Sequence, residues 1–591
     1  MIKLFKAVIA FSLMCLLVGC SDNSNGIETI KLDEKVNQEF NQFLDEYIKE
    51  AYGSDYLSLH LSFENPQDYG FEHDDLEISW GVVEYTNEDI EETIELKEEL
   101  LSFDIAALSS HNQDSYQDLL WNIDLSLDKA QNFYLYDNHF STLGGDHVNI
   151  PVILVDFPIH DEQDYLDLIA LIQDIPNYFT QVTAYTNKQL EQGIMLINYE
   201  EVMAYCQNIL DNQDDSLLLT ALLTKAENIA PDEASKTKYQ TQMKQAYYDG
   251  FIKGYADLLA YLKEIAQKYP NDVQNIASLP NGKQYYELLI KEQCGNDLTV
   301  KALEDLMIEL YDENYKIFQD IVTSDLKVLE MFYHDRDTGF ASYEAILNSL
   351  AKDINQDFPS IDKVDYVVSN IDPMLAQNSI LAYYYVSAID SSLPEQIKVN
   401  SFDGSVNIQD ISTYLTLAHE GFPGHMYQYV YKKHNMPNTY LKLTSNIAYA
   451  EGYAVYSSME ALDYLTMFEQ NYIEAYKANE LMNYAMINLS DININYYGYT
   501  LAQLTDFYVS NGYTVTKDDL VPLYEQLRDD PATFMPYYVG YKQIHDLKVK
   551  AQEALKDDFD EKAFNQTILD CGSVPYMIVE KHVEQYILEN S

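Results

Sequence analysis

Pro423 stands between two histidines in the run His419-Glu420-Gly421-Phe422-Pro423-Gly424-His425-Met426-Tyr427-Gln428, and it rules out a straight helix there. The stretch from Ile408 to Ala418 is helix-like in its pattern, and the chain returns to helix after His425. In an unbroken helix the ring of Pro423 would clash with the carbonyl of His419, so the backbone is expected to kink or restart between Phe422 and Gly424. The six-residue spacing matters as well. At about 100° per residue a straight helix would turn the two imidazoles to different faces, whereas a broken one can aim both at a common point.

A histidine pair with an adjacent acid suggests a metal centre. In the zinc-protease pattern the two histidines are four apart, share a helical face, and the glutamate activates water. Here the spacing is six, and the break must supply the convergence. Two imidazoles hold zinc poorly, because a catalytic site normally has three protein ligands and an open position. The best third ligand is Glu451, among small and apolar neighbours in Ile447-Ala448-Tyr449-Ala450-Glu451-Gly452-Tyr453 on an expected helix. Buried without a partner, that carboxylate would cost several kcal/mol, so it needs a cation, a donor or a metal. Glu460, close to a more polar stretch, is a poorer candidate. Two histidines and one glutamate make a nitrogen–oxygen shell suited to zinc. Glu420, beside a ligand, fits the role of general base. For an oxyanion donor the turn-rich stretch from Pro531 to Tyr541 offers three phenols, Tyr537, Tyr538 and Tyr541.

Composition narrows the partners. Acids number 96 against 36 Lys+Arg, a net charge of −60, which would repel nucleic acid and anionic membrane and favour cationic peptides. Hydrophobic residues make up 47%, enough for a large core. The amino end carries an address: Lys3 and Lys6 precede the apolar run from Ala7 to Val18, too short to span a membrane with those flanks. The run ends Leu17-Val18-Gly19-Cys20, which resembles the lipobox of bacterial lipoproteins. Residues 1–19 are then a signal peptide, Cys20 is the lipidated first residue, and residues 20–33 include a polar tether. No further apolar stretch approaches the roughly 20 residues of a spanning helix, so lipid on Cys20 is the expected membrane contact. Cys206, Cys294 and Cys571 are widely spaced and odd in number; they read as buried apolar residues rather than a disulfide framework.

Elsewhere helical periodicity dominates. Val36, Phe40, Phe43, Leu44, Tyr47 and Ile48 form one stripe, and similar stripes recur through Leu119 to Leu127, Tyr165 to Ile175, Gln240 to Tyr269 and Val300 to Phe332. Pro176 is expected to stop or kink its helix. Ser141 to Pro158, with Gly144-Gly145 and the β-branched run Val148 to Val155, reads as a loop or short strand. Three β-prone runs, Tyr366-Val367-Val368, Tyr383 to Val386 and Ile397-Lys398-Val399, predict a small sheet beside the histidines, whose edge can take a peptide as an added strand.

The whole of His-Glu-Gly-Phe-Pro-Gly-His with its downstream Gln428, followed by Glu451-Gly-Tyr-Ala-x-Tyr456, resembles the bacterial family called domain of unknown function 885. That family carries His-Glu-Gly-x-Pro-Gly-His-His-x-Gln and Glu-Gly-Trp-Ala-x-Tyr and is regarded as a set of mostly helical zinc peptidases. The resemblance implies His419, His425 and Glu451 as ligands of one zinc ion and Glu420 as base. It also aligns the tyrosine of the family's late Pro-Gly-Gln-Ala-x-Ser-Tyr-x-x-Gly motif with Tyr537, the implied oxyanion donor. Three departures stand out. Met426 replaces the second of the family's paired histidines, Tyr453 replaces a tryptophan, and Ala532-Thr533-Phe534 replaces Gly-Gln-Ala.

The expected molecule is mainly α, a large multi-helix metallopeptidase-like architecture with a small β element near the active site. A helical region over residues 34–290 packs on a catalytic region over residues 291–591, the two enclosing a channel. The expected activity is zinc-dependent hydrolysis of short peptides outside the cytoplasmic membrane. A metal hydrolase of another amide or ester, and a non-catalytic peptide- or solute-binding lipoprotein, are the alternatives.

Overall fold

A computed structural model describes residues 34–270, 274–332, 337–361, 364–375, 381–401 and 406–591. The signal peptide, Cys20 and the tether lie outside these residues. The amphipathic stripe near the amino end forms α1 (Glu34–Gly53) and buries Phe40, Phe43, Leu44 and Ile48, as its spacing predicts. It packs on α2 (Ser110–Asn132), with the Phe40 and Tyr116 rings 6.3 Å apart.

Ser141 to Pro158 departs from the sequence reading. Most of the β-branched run lies in a helix, α3 (Asp146–Asp156), with Gly145 as N-cap and Pro151 inside. Pro151 has no N–H to give to the carbonyl of His147, and Tyr255 Oη donates to that carbonyl instead, at 2.7 Å. Burial of His147, Ile150, Leu154 and Val155 against neighbouring helices overrides the local β preference. Pro176 likewise does not stop its helix: α4 (Glu162–Glu191) runs through it for 30 residues. The carbonyl that Pro176 leaves free, Ile172 O, meets Gly250 on the π-helical turn Tyr247–Ile252, where an added Cβ would sit 2.0 Å from it. That turn leads into α5 (Lys253–Lys268). Helices α3 to α5 share a hydrophobic core that also takes in Tyr56, Ile371 and Leu375.

The carboxy-terminal half adds α6 (Val300–Ser324), the sheet, and the helices that carry the site. The strands are β1 (Tyr366–Asn370), β2 (Ala382–Tyr385) and β3 (Glu395–Val399), in the order β1-β3-β2. β1 runs parallel to β3, with Tyr366 opposite Glu395; β2 runs antiparallel to it, with Ala382 opposite Val399. All three β-prone runs are therefore strands, and β2 is left as an edge. One face of β2 and β3 buries Ala382, Tyr384, Ile397 and Val399 in the main core.

Beyond the sheet come α7 (Ile411–Glu420), α8 (His425–Asn435), α9 (Thr439–Leu443), α10 (Ile447–Ala461), α11 (Gln470–Asn495) and α12 (Met535–Leu555). They belong to a core running from Phe40 to Tyr586, so α1 and α2 are packed with the helices around the histidines. Tyr440 on α9 touches both, its ring 6.0 Å from that of Tyr47 and its hydroxyl 2.7 Å from Asp118 Oδ2. Cys206, Cys294 and Cys571 are buried and free. No helix among the described residues is long and apolar enough to cross a membrane.

Candidate metal centre

The first two groups come from the break in the chain. Ile411, Tyr414, Leu417 and Ala418 bury one face of α7 and leave His419 and Glu420 at its carboxyl end. Gly421 N–H closes the last turn on Leu417 O at 2.9 Å, and the chain then turns back so that Gly424 N–H reaches Ala418 O, also at 2.9 Å. α8 restarts at His425, with Gln428 N–H on Gly424 O. Neither glycine has room for a side chain. A Cβ on Gly424 would lie 1.8 Å from His419 O, and one on Gly421 would lie 2.4 Å from Leu347 Cδ2 and 2.8 Å from Leu417 O. The restart predicted from Pro423 is thus present. It sets the His419 and His425 rings at 86° to each other, centroids 4.7 Å apart.

Glu451 reaches the same point from α10. Its Oε2 lies 3.4 Å from His419 Nε2 and 3.2 Å from His425 Nε2. Ligands about 2.1 Å from a tetrahedral ion are about 3.4 Å from one another. The separations therefore match two edges of such a tetrahedron. Glu420 adjoins them: His419, Glu420 and His425 each offer a ligand atom within 4.8 Å of the others. Its Oε1 is further from His419 Nε2, at 3.9 Å, and its Oε2 accepts the backbone N–H of Tyr384 on β2 at 2.9 Å. Sheet and histidine cluster are joined by that bond.

Electrostatics follow from the crowding. Burial pushes the Glu451 carboxyl up, but hydrogen bonds and charge from His419 and His425 outweigh it and hold the group well below the usual carboxylate range. Burial pulls His425 down, and its partners Glu451, Glu420 and Gln428 raise it above the ordinary imidazole value. Gln428 lies one turn along α8 from that ring and lines the same cavity. Tyr537 lies over His419, ring centroids 6.2 Å apart and planes 12° from parallel. Burial, with Glu451 and Glu420 nearby, pushes its hydroxyl up, so it is a neutral phenol able to donate.

Tyr537 and Glu451 are brought together by two glycines. At the crossing of α10 and α12 a Cβ on Gly452 would lie 2.5 Å from Gly540 Cα and 2.4 Å from Tyr576 Oη. Tyr576 Oη also lies 3.1 Å from both Ala448 O and Gly540 O. Glu451 precedes one glycine and Tyr537 lies three residues before the other, so the contact fixes their separation.

The departures from the family pattern find places. Met426 is fully buried in the main core. Tyr453 is fully buried, with no hydrogen-bond partner for its hydroxyl among the described residues. Ala532 has a φ of 63°, the left-handed conformation that favours glycine, and its N–H donates to Asp491 Oδ2 at 2.8 Å.

His419, Glu420, His425, Glu451 and Tyr537 all line a cavity of about 830 Å³, within the range of small-molecule and cofactor sites. Tyr52, Leu61 and Ser62 from the amino-terminal helices wall part of it. Sequence reasoning did not find the Tyr384 N–H, because a backbone donor leaves no mark in side-chain pattern. Nor did it assign Gln428 its contact with His425, although its place one turn along the same helix is a readable signal.

A family model described as "Bacterial protein of unknown function (DUF885)" matches residues 70–583. No curated protein sequence matches the chain significantly. Among solved structures, a proposed lipoprotein from Colwellia psychrerythraea superposes with a TM-score of 0.78 at 16% identity, covering 94% of this chain and all 100% of its own. A proposed lipoprotein of unknown function from Shewanella oneidensis gives 0.65 at 17% identity, covering 93% of this chain and 99% of its own. At these identities the likeness shows the fold.

The glycine crossing yields a direct test. Gly452→Ala gains about 1 kcal/mol of helix propensity but overpacks against a backbone that cannot yield, so thermal or denaturant unfolding should show a net loss of about 1–3 kcal/mol.

Proposed function

The chain belongs to the bacterial family of unknown function DUF885, and we propose that this member is a lipid-anchored, extracytoplasmic zinc peptidase acting on short peptides. The observation that carries the reading is the placing of Glu451 Oε2 at 3.4 and 3.2 Å from the two imidazole nitrogens, with a second carboxylate clamped alongside. His419, His425 and Glu451 would hold the ion. Zinc bound there supplies Lewis acidity toward water and a peptide carbonyl.

The remaining work falls to the chain's own groups. Tyr384 N–H occupies Glu420 Oε2, which leaves Oε1 to take a proton from the attacking water and pass it to the leaving amine. Tyr537, kept neutral, donates its hydroxyl proton in a hydrogen bond to the carbonyl oxygen as negative charge develops. β2 supports a peptide as the substrate. It is an edge strand whose Tyr383 and Tyr384 line the cavity, so an extended backbone can lie alongside it while the Tyr384 N–H stays on Glu420. A cavity of about 830 Å³ favours short peptides. The lipobox ending at Cys20 and the two proposed lipoproteins of like fold support anchoring. The 3.2 Å contact between His425 and Glu451 also supports a second reading, a self-satisfied ion cluster in a non-catalytic binding lipoprotein.

Metal analysis of the purified protein, set beside peptide cleavage with and without chelator, separates the two. Glu420→Gln should retain the metal and lose turnover on the order of 10²–10⁴-fold, whereas His419→Ala should lose both. Cleavage or binding indifferent to chelator and to Glu420→Gln would favour the second reading.

A pH dependence follows from His425. Its upward shift means that without metal the proton that pairs the ring with Glu451 is held more tightly than by a free imidazole; that stability is full below the unfolded imidazole value and is lost as pH rises through the folded one. Metal must displace the proton. The upward shift in melting temperature on adding zinc should therefore be larger at pH 8 than at pH 6. An equal shift at both would contradict the assignment.

A further inference from the structure

The charged residues lining the cavity are divided between its parts. Its two acids, Glu420 and Glu451, belong to the metal cluster, and its two lysines, Lys432 and Lys442, do not. The separation follows from α8. His425, Gln428, Tyr429 and Lys432 recur at three- and four-residue intervals and all line the cavity, so one helical face forms its wall. At about 1.5 Å per residue, Lys432 starts about 10 Å further along the helix than His425. Lys442, on α9, lies two residues before Thr444, whose carbonyl accepts from Lys432 Nζ at 2.7 Å. Both lysines therefore belong to the end remote from the metal cluster.

Their lack of compensation is informative. With 96 acids against 36 bases, carboxylates are in excess throughout this chain. Yet neither Lys432 nor Lys442 has a carboxylate within 4 Å among the described residues. Lys432, only 8% exposed, has the Thr444 carbonyl and the face of the Tyr429 ring as its partners and feels the charge of buried Asp118 beyond them, so the less buried Lys442 is the one left for a ligand. Lys442 Nζ has no hydrogen-bond or ion-pair partner among the described residues. Arg528, in the adjoining cavity of about 360 Å³ beyond Tyr537, differs: its Nε is neutralised by Asp529 at 2.7 Å. A half-buried ammonium on the cavity wall with no carboxylate in contact, as at Lys442, favours an incoming anion. Repulsion from the distant acidic surface is screened beyond about 8–10 Å at physiological salt.

We propose that Lys442, backed by Lys432, anchors a carboxylate of the substrate about two or three residues from the bond that is cut. This rests on the peptidase reading above. An extended peptide covers about 3.3–3.6 Å per residue, so two or three residues reach from the metal cluster to the lysines. The carboxylate is that of the peptide's carboxyl terminus or of an Asp or Glu side chain near its end. Where the anchor is the terminus or the last side chain, cleavage releases a fragment two or three residues long; where it is the penultimate side chain, the fragment is one residue longer.

The test uses the metal-loaded full chain and a neutral pentapeptide as its free acid, as its amide, and as the amide with Glu in either of the last two positions. The free acid should be cleaved with a KM about 10- to 100-fold below that of the neutral amide, the range expected for a hydrogen bond to a charged group. Mass spectrometry should find a di- or tripeptide released. Lys442→Ala should erase the acid–amide difference by raising KM for the acid, and Lys442→Arg should keep most of it. A Glu-bearing amide that matches the free acid assigns the anchor to a side chain; preference for the free acid alone assigns it to the terminus. Equal KM for all four peptides, or a preference that survives Lys442→Ala, overturns the proposal while leaving the peptidase standing. Calorimetry of the same peptides on Glu420→Gln, with and without Lys442→Ala, keeps the two readings apart. If wild type cleaves nothing but the acid still binds more tightly than the amide through Lys442, the anchor holds and the peptidase reading fails. Equal binding of acid and amide overturns the anchor.

Discussion

The His419 carbonyl and the α-carbon of Gly424 approach so closely that no side chain fits between them. Everything at the histidine–glutamate cluster depends on that contact. It ends α7 immediately after Glu420, folds the chain back under its own last turn, and starts α8 on His425. A continuous helix would have spread the two imidazoles over different faces. The fold-back converts a spacing of six into two rings 4.7 Å apart, and leaves Glu420 beside them rather than among them.

The other half of the cluster is placed by a different close approach. Gly452 and Gly540 let α10 and α12 cross without intervening side chains, and Tyr576 bridges the crossing through its hydroxyl. Glu451 and Tyr537 sit next to these glycines and inherit their precision. A third element, the edge strand β2, fixes the remaining carboxylate through one backbone N–H. Parts of the chain distant in sequence are thus held by backbone contacts, which are stiffer than side-chain packing, and the cluster is organised before any ligand arrives. Packing of α1 into the same core as these helices brings Tyr52, and Leu61 and Ser62 just beyond it, to the amino-terminal side of the cavity.

Much of this was legible in the chain itself. Pro423 announced a break because its chemistry is local, and Glu451 stood out because a carboxylate among small apolar residues needs a partner. The stripe from Phe40 to Ile48 and the three β-prone runs were legible for the same reason: period and residue type act within a few residues. The failures share a cause as well. Val148 to Val155 looks extended, yet a tyrosine more than a hundred residues away, Tyr255, bonds the carbonyl that Pro151 strands and makes a helix tenable. Pro176 survives inside a long helix where Gly250 packs against the freed carbonyl. The Tyr384 N–H and the two cavity lysines acquire their meaning from where the fold puts them. Ala532 is an intermediate case, since its place in a motif that elsewhere has glycine marked it before its φ of 63° was known.

The central claim is that the fold-back and the glycine crossing together build a single nitrogen–oxygen metal site from His419, His425 and Glu451. X-ray absorption at the zinc edge of the purified wild-type protein tests it most directly. The account predicts a first shell of two histidine nitrogens with oxygen completing it, at about 2.0–2.2 Å, and no sulfur. A shell of oxygens alone, a sulfur ligand, or a protein that binds no zinc when zinc is supplied would contradict it.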